Sequence, residues 1–497
     1  MANMITPAPS AQQEALLERV RLKPSGAIIV EAVAGSGKTT TLRQVCNLLA
    51  SMGRKPEEVM YMAFSQKMAR EMTSKLAGLA SVKTTYSIGL SAITKGLGKR
   101  VAVNQKKALA LRDHLDSFPH VRAMADGERM EYKADMIRLL EFALMGLVQP
   151  TLEGTEALLD HYGLDYSPAQ TQPVLEALLE ATKRLAITGK REITFADMIG
   201  LPGVMGWYPK TYPVILVDEA QDLSPAQLHI ALGSLAPGGL AIFVGDRAQA
   251  IFGFAGAGCD SIDRIIEATG AETFPLSVTF RCPTSHVDLA RRMVPEITPA
   301  PGAGTGIVEI LNRERAAEEI RRGDLVICRR TAPVVSMAFT LIGKGIKAKV
   351  VGRKIGEGLV ALARKVAGKV PMVQFPDQID QYDAKMSGVL ANKPSRLQTL
   401  RDQLRCLSVI YTSNVPDTLP GLVAAIEAIF EESEDEITGE VVLSTIHRAK
   451  GLEADRVFLL DADRVRIPSP LEWQAQQEAN LHYVALTRSK EALYLVP

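Results

Sequence analysis

Cysteine is scarce in this chain, and its distribution excludes zinc-finger and dithiol redox sites. The 497 residues include five cysteines, and no two of them form a CxxC pair. An odd, scattered set is typical of reduced thiols in the cytoplasm. We expect each to be a small buried side chain. The five are Cys46, Cys259, Cys282, Cys328 and Cys406.

Long apolar runs are also missing. No run approaches the roughly 18 uninterrupted apolar residues of a membrane span, and the first residues lack the basic start and apolar core of a signal peptide. The sequence therefore predicts a soluble, cytoplasmic protein with no membrane partner. Its net charge of +1, from 57 basic and 56 acidic residues, neither requires nor excludes a nucleic-acid partner. A locally basic track would suffice for one.

Short apolar runs rich in β-branched residues alternate with helical patterns, which is typical of parallel α/β sheets. A chain of this length exceeds what one hydrophobic core supports, so we expect more than one such domain. The predicted strands are 27–30, 59–64, 214–217 and 241–244 in a first sheet, and 325–328, 441–444, 457–460 and 493–496 in a second.

One Gly-rich turn has the spacing of a phosphate-binding loop. It is Ala32-Val33-Ala34-Gly35-Ser36-Gly37-Lys38-Thr39, placed between a predicted strand and a predicted helix. Backbone N–H groups and the helix start favour an anion there. Lys38 can reach the β- and γ-phosphates of a nucleotide, and the hydroxyl of Thr39 can bind Mg²⁺. Ala32 replaces the first glycine of the usual pattern, and the alternative is a plain Gly-rich turn at a strand end.

An acidic pair follows another apolar run, in Val214-Ile215-Leu216-Val217-Asp218-Glu219-Ala220-Gln221-Asp222. Such a pair alone could be a helix cap. Together with the loop it indicates nucleotide hydrolysis, in which Asp218 holds Mg²⁺ and Glu219 orients and deprotonates the attacking water.

Four segments carry a more specific resemblance. They are 218–222 (DEAQD), 244–257 (VGDRAQAIFGFAGA), 442–453 (VLSTIHRAKGLE) and 480–490 (NLHYVALTRSK). They resemble, in order, the motifs of UvrD/Rep-like superfamily 1A DNA helicases, and the resemblance runs almost from end to end. It implies an α/β fold with two RecA-like parallel-sheet motor domains, each with an inserted, mainly helical subdomain.

The resemblance implies the following domain boundaries. The first RecA-like domain comprises 1–88 and 210–276, and its helical insertion 89–209. The second comprises 277–353 and 438–497, and its insertion 354–437 is much shorter than in large members of the family. In those members this subdomain contacts the duplex and regulates unwinding.

The same resemblance implies a role for each residue of an ATP site that uses Mg²⁺. Gln12 corresponds to the glutamine that recognises adenine, with Gln13 as the alternative register. Phe280 corresponds to the ring that stacks on the base, and Glu453 to the ribose ligand. Gln249 corresponds to the γ-phosphate sensor, and Arg281 and Arg488 to the two arginine fingers. The loop residues Gly35, Ser36, Gly37, Lys38, Thr39 and Thr40 complete the nucleotide site, with Thr39 and Asp218 as metal ligands.

Single-stranded DNA and its junctions with duplex are the partners that the resemblance implies; protein partners are unknown. A motor on single strands needs aromatic faces for bases and polar groups for phosphates. The corresponding DNA-binding residues are Phe64, Thr85, Tyr86, Phe252, Phe254, Arg329, Thr445 and His447. For each phenylalanine, core packing is the alternative. Ser87 stands where the family has His, and Ala255 where it usually has Arg.

These observations predict an ATP-dependent DNA helicase that moves on single-stranded DNA, 3′ to 5′ by the form of the aromatic pair in its third motif. The alternatives are a translocase that displaces bound proteins without unwinding, an RNA-directed motor, and a non-catalytic nucleic-acid-binding module. The intact Lys38, Asp218, Glu219 and Arg488 argue against the last.

Overall fold

The computed structural model describes residues 9–104, 107–188, 192–253, 260–368, 371–391, 394–431, 440–469 and 471–497. By its internal contacts the chain forms two compact units. The first comprises Met1–Ser277 with Ser469–Gln477, and the second Val278–Pro468 with Glu478–Pro497. Each unit contains a parallel sheet with helices, which confirms the predicted α/β class.

The first unit has one large sheet and one short strand pair. Its strands are β1 (Gly26–Ala32), β2 (Val59–Ala63), β3 (Ser81–Thr84), β4 (Ala102–Val103), β5 (Glu192–Ile193), β6 (Tyr212–Val217), β7 (Leu235–Gly245) and β8 (Glu272–Leu276). The large sheet has the order β3-β2-β6-β7-β1-β8, and β4 pairs with β5.

Helices surround this sheet and fill the segment between β4 and β6. They are α1 (Ala11–Leu22), α2 (Lys38–Ser51), α3 (Gln66–Lys75), α4 (Thr85–Leu97), α5 (Lys107–His114), α6 (Pro119–Ala123), α7 (Asp126–Gly146), α8 (Leu152–Tyr162), α9 (Pro168–Ile187), α10 (Phe195–Met205), α11 (Pro225–Gly233) and α12 (Ser261–Thr269).

The central strands of this sheet are buried on both faces. In β1, Ile28 and Val30 pack into one hydrophobic core while Ile29 packs into another. In β6, Leu216 and Ile215 divide between the same two cores. Successive side chains of a strand point to opposite faces, so a sheet covered on both faces requires the continuous apolar runs seen in the sequence.

The helical insertion of the first unit has a core of its own, built from α5 to α9. Beside it lies a buried ion pair of 2.7 Å between Lys107 Nζ and Asp197 Oδ2, and Lys107 also donates to the carbonyl of Thr182. The described residues between β4 and β5 are thus mainly helical and pack around this core.

The second unit has a larger sheet, also entirely parallel in its described pairings. Its strands are β9 (Val278–Thr279), β10 (Thr298–Pro299), β11 (Ile307–Ile310), β12 (Leu325–Cys328), β13 (Ala348–Val351), β14 (Phe430–Glu431), β15 (Val441–Thr445), β16 (Ala454–Leu460) and β17 (Ser489–Val496). The sheet has the order β11-β17-β16-β12-β15-β13-β14, and β9 pairs with β10.

Its described helices lie before, within and after the second insertion. They are α13 (Thr284–Ala290), α14 (Arg313–Glu319), α15 (Thr331–Gly343), α16 (Arg353–Ala367), α17 (Phe375–Val389), α18 (Pro394–Asn414), α19 (Leu419–Ile429), α20 (Ile446–Ala449) and α21 (Glu472–Leu486), the start of α21 being part of the first unit.

The second insertion shares its hydrophobic core with the sheet that it interrupts. Leu359, Leu407 and Ile426 of the inserted helices belong to the same cluster as Val350 of β13. The carboxylate of Asp402 in α18 also accepts hydrogen bonds from the first N–H groups of α15. An insertion joined to the sheet in this way is part of the unit's core rather than a separately packed body.

No helix in the described ranges is both long and apolar enough to cross a lipid bilayer. The cysteines of those ranges, Cys46, Cys282, Cys328 and Cys406, are buried free thiols, as predicted, and Cys259 lies outside the described residues.

Candidate functional site

The segment predicted to bind phosphate is the turn between β1 and α2. Gly35 and Gly37 have φ angles of +74° and +82°, in the left-handed region that favours glycine. Gly37 is the N-cap of α2 and supplies no side-chain cap, so the first N–H groups of the helix are available to an anion. The buried hydroxyl of Ser36 has no hydrogen-bond partner among the described residues. Thr39 and Thr40 follow, both partly exposed.

The departure at Ala32 has a structural reason. Ala32 is the last residue of β1 and pairs with Leu276 of β8 in regular parallel geometry. Its φ is not positive. A glycine is therefore not required at this position, and the turn begins only with the following residues.

Two carboxylates follow β6, and each is held by hydrogen bonds. The buried Asp218 accepts from the hydroxyl of Tyr61 at 2.6 Å and from the N–H of Glu219 at 2.9 Å. Burial, and then the charge of Glu219, raise the pKa of Asp218. Glu219 itself has a φ of +53°, an uncommon conformation for a residue with a side chain and one found often at functional sites.

Lys38 joins this acidic cluster. Its Nζ lies 2.8 Å from Oε1 of Glu219. Burial alone would lower the pKa of Lys38, but the charges of Glu219, Asp246 and Asp218 outweigh it and raise that pKa. The ammonium group therefore stays protonated, which places one cation among three carboxylates at the end of the Gly-rich turn.

Gln249, the predicted phosphate sensor, lies just after β7 and is buried. Its Nε2 donates to Oδ2 of Asp246 at 2.5 Å, and the N–H of Ala248 donates to Oδ1 of the same residue at 3.0 Å. Burial raises the pKa of Asp246 to about 6. The structure thus brings Gln249, Asp246 and Lys38 into one polar cluster.

The two candidate adenine-binding glutamines differ in their contacts. Gln13 is buried. Its Oε1 accepts from the N–H of Ser10, the N-cap of α1, and its Nε2 donates to the hydroxyl of Thr41 in α2 at 2.8 Å. Gln12 is partly exposed and makes two hydrogen bonds with Ser277. Its Nε2 donates to Oγ of Ser277 at 2.9 Å, and its Oε1 accepts from the N–H of Ser277 at 3.0 Å. Both carboxamides are thus engaged in contacts within the protein, and Gln12 is the more exposed of the two.

The predicted arginine fingers, ribose ligand and stacking ring lie together in the second unit. Arg281 forms an ion pair with Glu453 and donates to the carbonyl of Thr487 at 3.3 Å, while Lys490 lies 2.8 Å from Glu453. The ring of Phe280 is 57% exposed, which a stacking platform requires.

Arg488 is 1% exposed and belongs to none of the ion pairs formed by the described residues. Its guanidinium donates to the carbonyls of Val484 and Leu452 and to the hydroxyl of Thr487. Burial, and then the charge of Arg281, lower the pKa of Arg488 to about 10. A buried cation without a paired carboxylate is an electrostatic site for an anion.

Aromatic side chains mark the predicted DNA-contacting segments of the first unit. Phe64 and Phe252 stack on each other with ring centroids 5.8 Å apart, and both are partly exposed. Tyr86 is partly buried. Thr85 is buried, and its hydroxyl accepts a 3.4 Å hydrogen bond from Nε2 of Gln227. This predicted DNA-binding residue is therefore bonded to another side chain of the protein. Phe254 and Ala255 lie outside the described residues.

The candidates of the second unit include one residue that is already paired. Arg329 makes a bidentate contact with the buried Glu478, with N–O distances of 2.6 to 3.2 Å. Burial, and then Arg329, lower the pKa of His447 to about 3, so its ring is neutral. Thr445 precedes α20 and is partly exposed.

Three residues of these regions were missed by sequence reasoning. Tyr61 contacts Asp218. The sequence feature that could have indicated this contact is a tyrosine in a buried strand, because a buried hydroxyl requires a hydrogen-bond partner. Gln221 contacts Glu219, and its only sequence signal is its place inside the DEAQD segment. Phe195 is 52% exposed and meets Tyr86 edge to face at 5.7 Å; no sequence pattern indicated it.

The described residues contain no group of three or more His, Cys, Asp or Glu side chains that could hold a metal ion by themselves.

Known protein families match both parts of the chain. The UvrD/REP helicase N-terminal domain matches residues 11–269, and the UvrD-like helicase C-terminal domain matches residues 440–496. ATP-dependent DNA helicase UvrD2 of Mycobacterium tuberculosis is 25% identical, over 95% of this chain and 77% of the relative. UvrD1 of the same organism is 23% identical, over 94% of this chain and 80% of the relative.

DNA helicase II of Escherichia coli is 26% identical over 54% of this chain and 38% of the relative. The N-terminal match alone spans more than half of the chain, and it contains the Gly-rich turn, the acidic pair and Gln249. The chain therefore belongs to the UvrD/REP helicase family.

Proposed function

We propose that this helicase hydrolyses ATP to move 3′ to 5′ along single-stranded DNA and to separate strands at junctions with duplex. The observation that carries the proposal is the cluster of Lys38, Asp218 and Glu219 at the end of the Gly-rich turn. The direction rests on the resemblance of the third motif alone.

The residues present fit ATP with Mg²⁺. The uncapped start of α2, the two left-handed glycines and the unpartnered hydroxyl of Ser36 suit a phosphate. Thr39 and Asp218 supply hard oxygen donors, the type that Mg²⁺ prefers. When bound, Mg²⁺ would neutralise phosphate charge and so favour nucleophilic attack.

Lys38 and Glu219 exchange partners when the phosphates enter. The ammonium group of Lys38 transfers its contact from Glu219 to the phosphates, which releases the carboxylate for a water molecule. Glu219 accepts a proton from that water as its oxygen bonds to the γ-phosphorus, and the bond from the γ-phosphorus to the β-phosphate oxygen breaks. The products are ADP and inorganic phosphate. Gln249 orients the water and senses the γ-phosphate.

Arg281 and Arg488 complete the reaction from the second unit. Charge on the transferred phosphoryl group is stabilised by fixed cations, and an arginine finger contributes roughly 10³ to 10⁵ in rate. Closure of the two units on ATP would deliver both guanidinium groups, and hydrolysis would release them. Gln12 and Phe280 would hold the adenine, and Glu453 the ribose.

The DNA track would use aromatic faces of the first unit and polar groups of the second. The stacked pair Phe64 and Phe252 can open to admit a base, and Phe195 extends the surface beside Tyr86. Thr445 and the neutral His447 offer hydrogen bonds without charge. The guanidinium of Arg329 would reach a phosphate only by leaving Glu478.

A second candidate is a translocase that displaces bound proteins without unwinding. The observation that favours it is the second insertion, which shares the core of its sheet and so is not a separately packed body that could act on a duplex by itself. The alternative of an RNA-directed motor uses the same residues and is distinguished by its substrate.

The test is ATP hydrolysis with and without single-stranded DNA, followed by unwinding of duplexes with 3′ or 5′ tails. Stimulation by DNA with separation from the 3′ tail alone supports the proposal. Stimulation with no separation supports the translocase, and stimulation by RNA alone supports the RNA motor. The Lys38→Ala variant serves as the inactive control.

A further inference from the structure

Gln221 connects the catalytic carboxylate to the strand that leads to the DNA-contacting segment. Its Nε2 donates to Oε2 of Glu219 at 2.5 Å, and its Oε1 accepts from the N–H of Asp246 at 2.9 Å. A carboxamide has a donor and an acceptor at opposite sides of one rigid plane. This side chain therefore joins two backbone segments that are 25 residues apart in the sequence.

Gly245 makes room for this connection. A Cβ at Gly245 would lie 2.7 Å from Oε1 of Gln221 and 3.0 Å from its backbone nitrogen, both closer than atoms normally approach. Gly245 is the last residue of β7, and its φ is not positive. Its lack of a side chain is thus explained by the space that Gln221 occupies and not by backbone strain.

Asp246, the residue that Gln221 contacts just after β7, lies close in the sequence to Phe252 of the aromatic pair Phe64 and Phe252. Asp246 is the cap of the short helical turn Arg247–Gln249 and holds Gln249 through its carboxylate. Phe252 follows three residues later and stacks on Phe64. Phe252 and the N–H group that donates to Gln221 therefore lie on one short segment of the chain, Asp246–Phe252.

We propose that Gln221 is a positioning residue that couples the DNA-contacting segment Asp246–Phe252 to the carboxylate of Glu219. When a base displaces Phe252, the shift of Asp246 turns the carboxamide of Gln221 and reorients Glu219 towards the attacking water. This inference rests on the proposed function, since it assigns to Gln221 the stimulation of hydrolysis by single-stranded DNA.

A structural role alone would have a different signature. Gln221 is 1% exposed, so its loss would lower stability whichever role it has. A residue that only supports packing would leave the ratio of stimulated to basal turnover unchanged in the folded variant. A positioning residue changes kcat with DNA while the KM for ATP and the affinity for DNA are retained.

The experiment compares wild type, Gln221→Ala and Gly245→Ala in steady-state ATP hydrolysis without DNA and with a saturating oligo-dT strand. Misplacement of a catalytic group by about 1 Å can lower turnover by about 100-fold, so we expect stimulated kcat to fall at least about tenfold. The KM for ATP and the binding of labelled oligo-dT, followed by fluorescence anisotropy, should stay within about twofold.

Gly245→Ala retains Gln221 but displaces its carboxamide, so it should reproduce the kinetic effect of Gln221→Ala. Gly127→Ala is the matched control, because a Cβ at Gly127 meets no atom of the described residues within 4 Å. If Gln221→Ala does not fold, Gln221→Met replaces it, since this variant keeps an unbranched side chain of similar length and loses the donor to Glu219 without adding a buried charge.

Stimulation that stays within about twofold of wild type in a folded Gln221 variant overturns the inference. The proposed function survives that result, because it requires only that wild type be stimulated. A wild-type enzyme with no stimulation by DNA overturns both.

Discussion

Nζ of Lys38 lies 2.8 Å from Oε1 of Glu219, and the two side chains are only 13% and 18% exposed. Removing one member of such a pair leaves the other charge poorly compensated. We therefore expect Lys38→Ala to abolish ATP hydrolysis, retain binding of single-stranded DNA, and lower the free energy of unfolding by about 2 kcal/mol. Denaturant titration measures the last effect.

The double variant Lys38→Ala/Glu219→Gln should recover part of that stability and remain inactive, because Glu219 is then neutral while Asp218 and Asp246 still lack their cation. Lys75→Ala removes the cation of an exposed helical pair with Glu71 and should cost no more than about 0.5 kcal/mol. Normal turnover in Lys38→Ala would contradict the assignment of the phosphate site.

Tyr61→Phe should slow hydrolysis through Asp218. The variant removes the 2.6 Å hydrogen bond to the buried carboxylate, and we expect a loss of about 1.5 kcal/mol in stability and a raised Mg²⁺ requirement. The measurement is kcat against Mg²⁺ concentration.

Tyr166→Phe provides the matched control for Tyr61→Phe. Its hydroxyl donates to the buried Asp135 at 2.7 Å, within the helical insertion. This variant should lose comparable stability without any change in Mg²⁺ dependence. An equal kinetic change in both variants would show that the effect of Tyr61 is one of stability alone.

The sequence was sufficient to predict features that depend on neighbouring residues. The strand Leu325–Cys328 was predicted with its observed bounds, because a buried parallel strand is a continuous apolar run. The Gly-rich turn and the acidic pair also follow strands in the predicted way. Each of these features is specified within about ten residues.

Contacts between distant segments could not be predicted in this way. Tyr61 meets Asp218 across 157 positions because β2 pairs with β6 in one particular register. Arg329 meets Glu478 across 149 positions, so a residue expected to bind DNA is held by a carboxylate. Sheet register and helix placement decide such pairs, and no local pattern encodes them. The roles of the individual site residues remain predictions.

Phe252→Ala should weaken binding of single-stranded DNA. Loss of a base–aromatic contact costs about 1–3 kcal/mol, or about 10- to 100-fold in affinity. Phe252→Tyr keeps the ring and should bind as wild type does. Fluorescence anisotropy of labelled oligo-dT measures both. Equal affinities for the Ala and Tyr variants would identify Phe252 as a core residue that only packs on Phe64.

Phe254→Ala is expected to uncouple ATP use from movement, because the resemblance makes Phe254 a second stacking residue. The measurement is base pairs separated per ATP consumed. Phe254→Trp retains an aromatic face and is the control. An unchanged ratio in Phe254→Ala would contradict the stacking role.

Arg488→Lys should lower kcat strongly and leave nucleotide binding nearly intact. The guanidinium of Arg488 is positioned by three hydrogen bonds, to Val484, Leu452 and Thr487, and a lysine cannot reproduce this fork. We expect kcat to fall by about 10³. Binding of a fluorescent ATP analogue should change by less than about threefold, since the effect belongs to the transition state. A comparable loss of binding would argue for a structural role.

Acid should destabilise the second unit through His447. Burial, and then Arg329, lower the pKa of His447 to about 3, against an ordinary value near 6.5. Between these values the unfolded chain binds a proton that the folded chain does not, so the free energy of unfolding decreases as the pH falls from about 6.5 towards 3. Burial lowers the pKa of other histidines in the same direction, namely His161, His229, His286 and His482.

His447→Gln should therefore make the loss of stability between pH 6.5 and pH 4 less steep, because one of these proton-linked contributions is removed. Denaturant titrations at several pH values measure the slope. His120→Gln changes an exposed ring and is the control. Parallel curves for wild type and His447→Gln would mean that the ring binds its proton equally in the folded and unfolded chain, and would contradict the lowered pKa of His447.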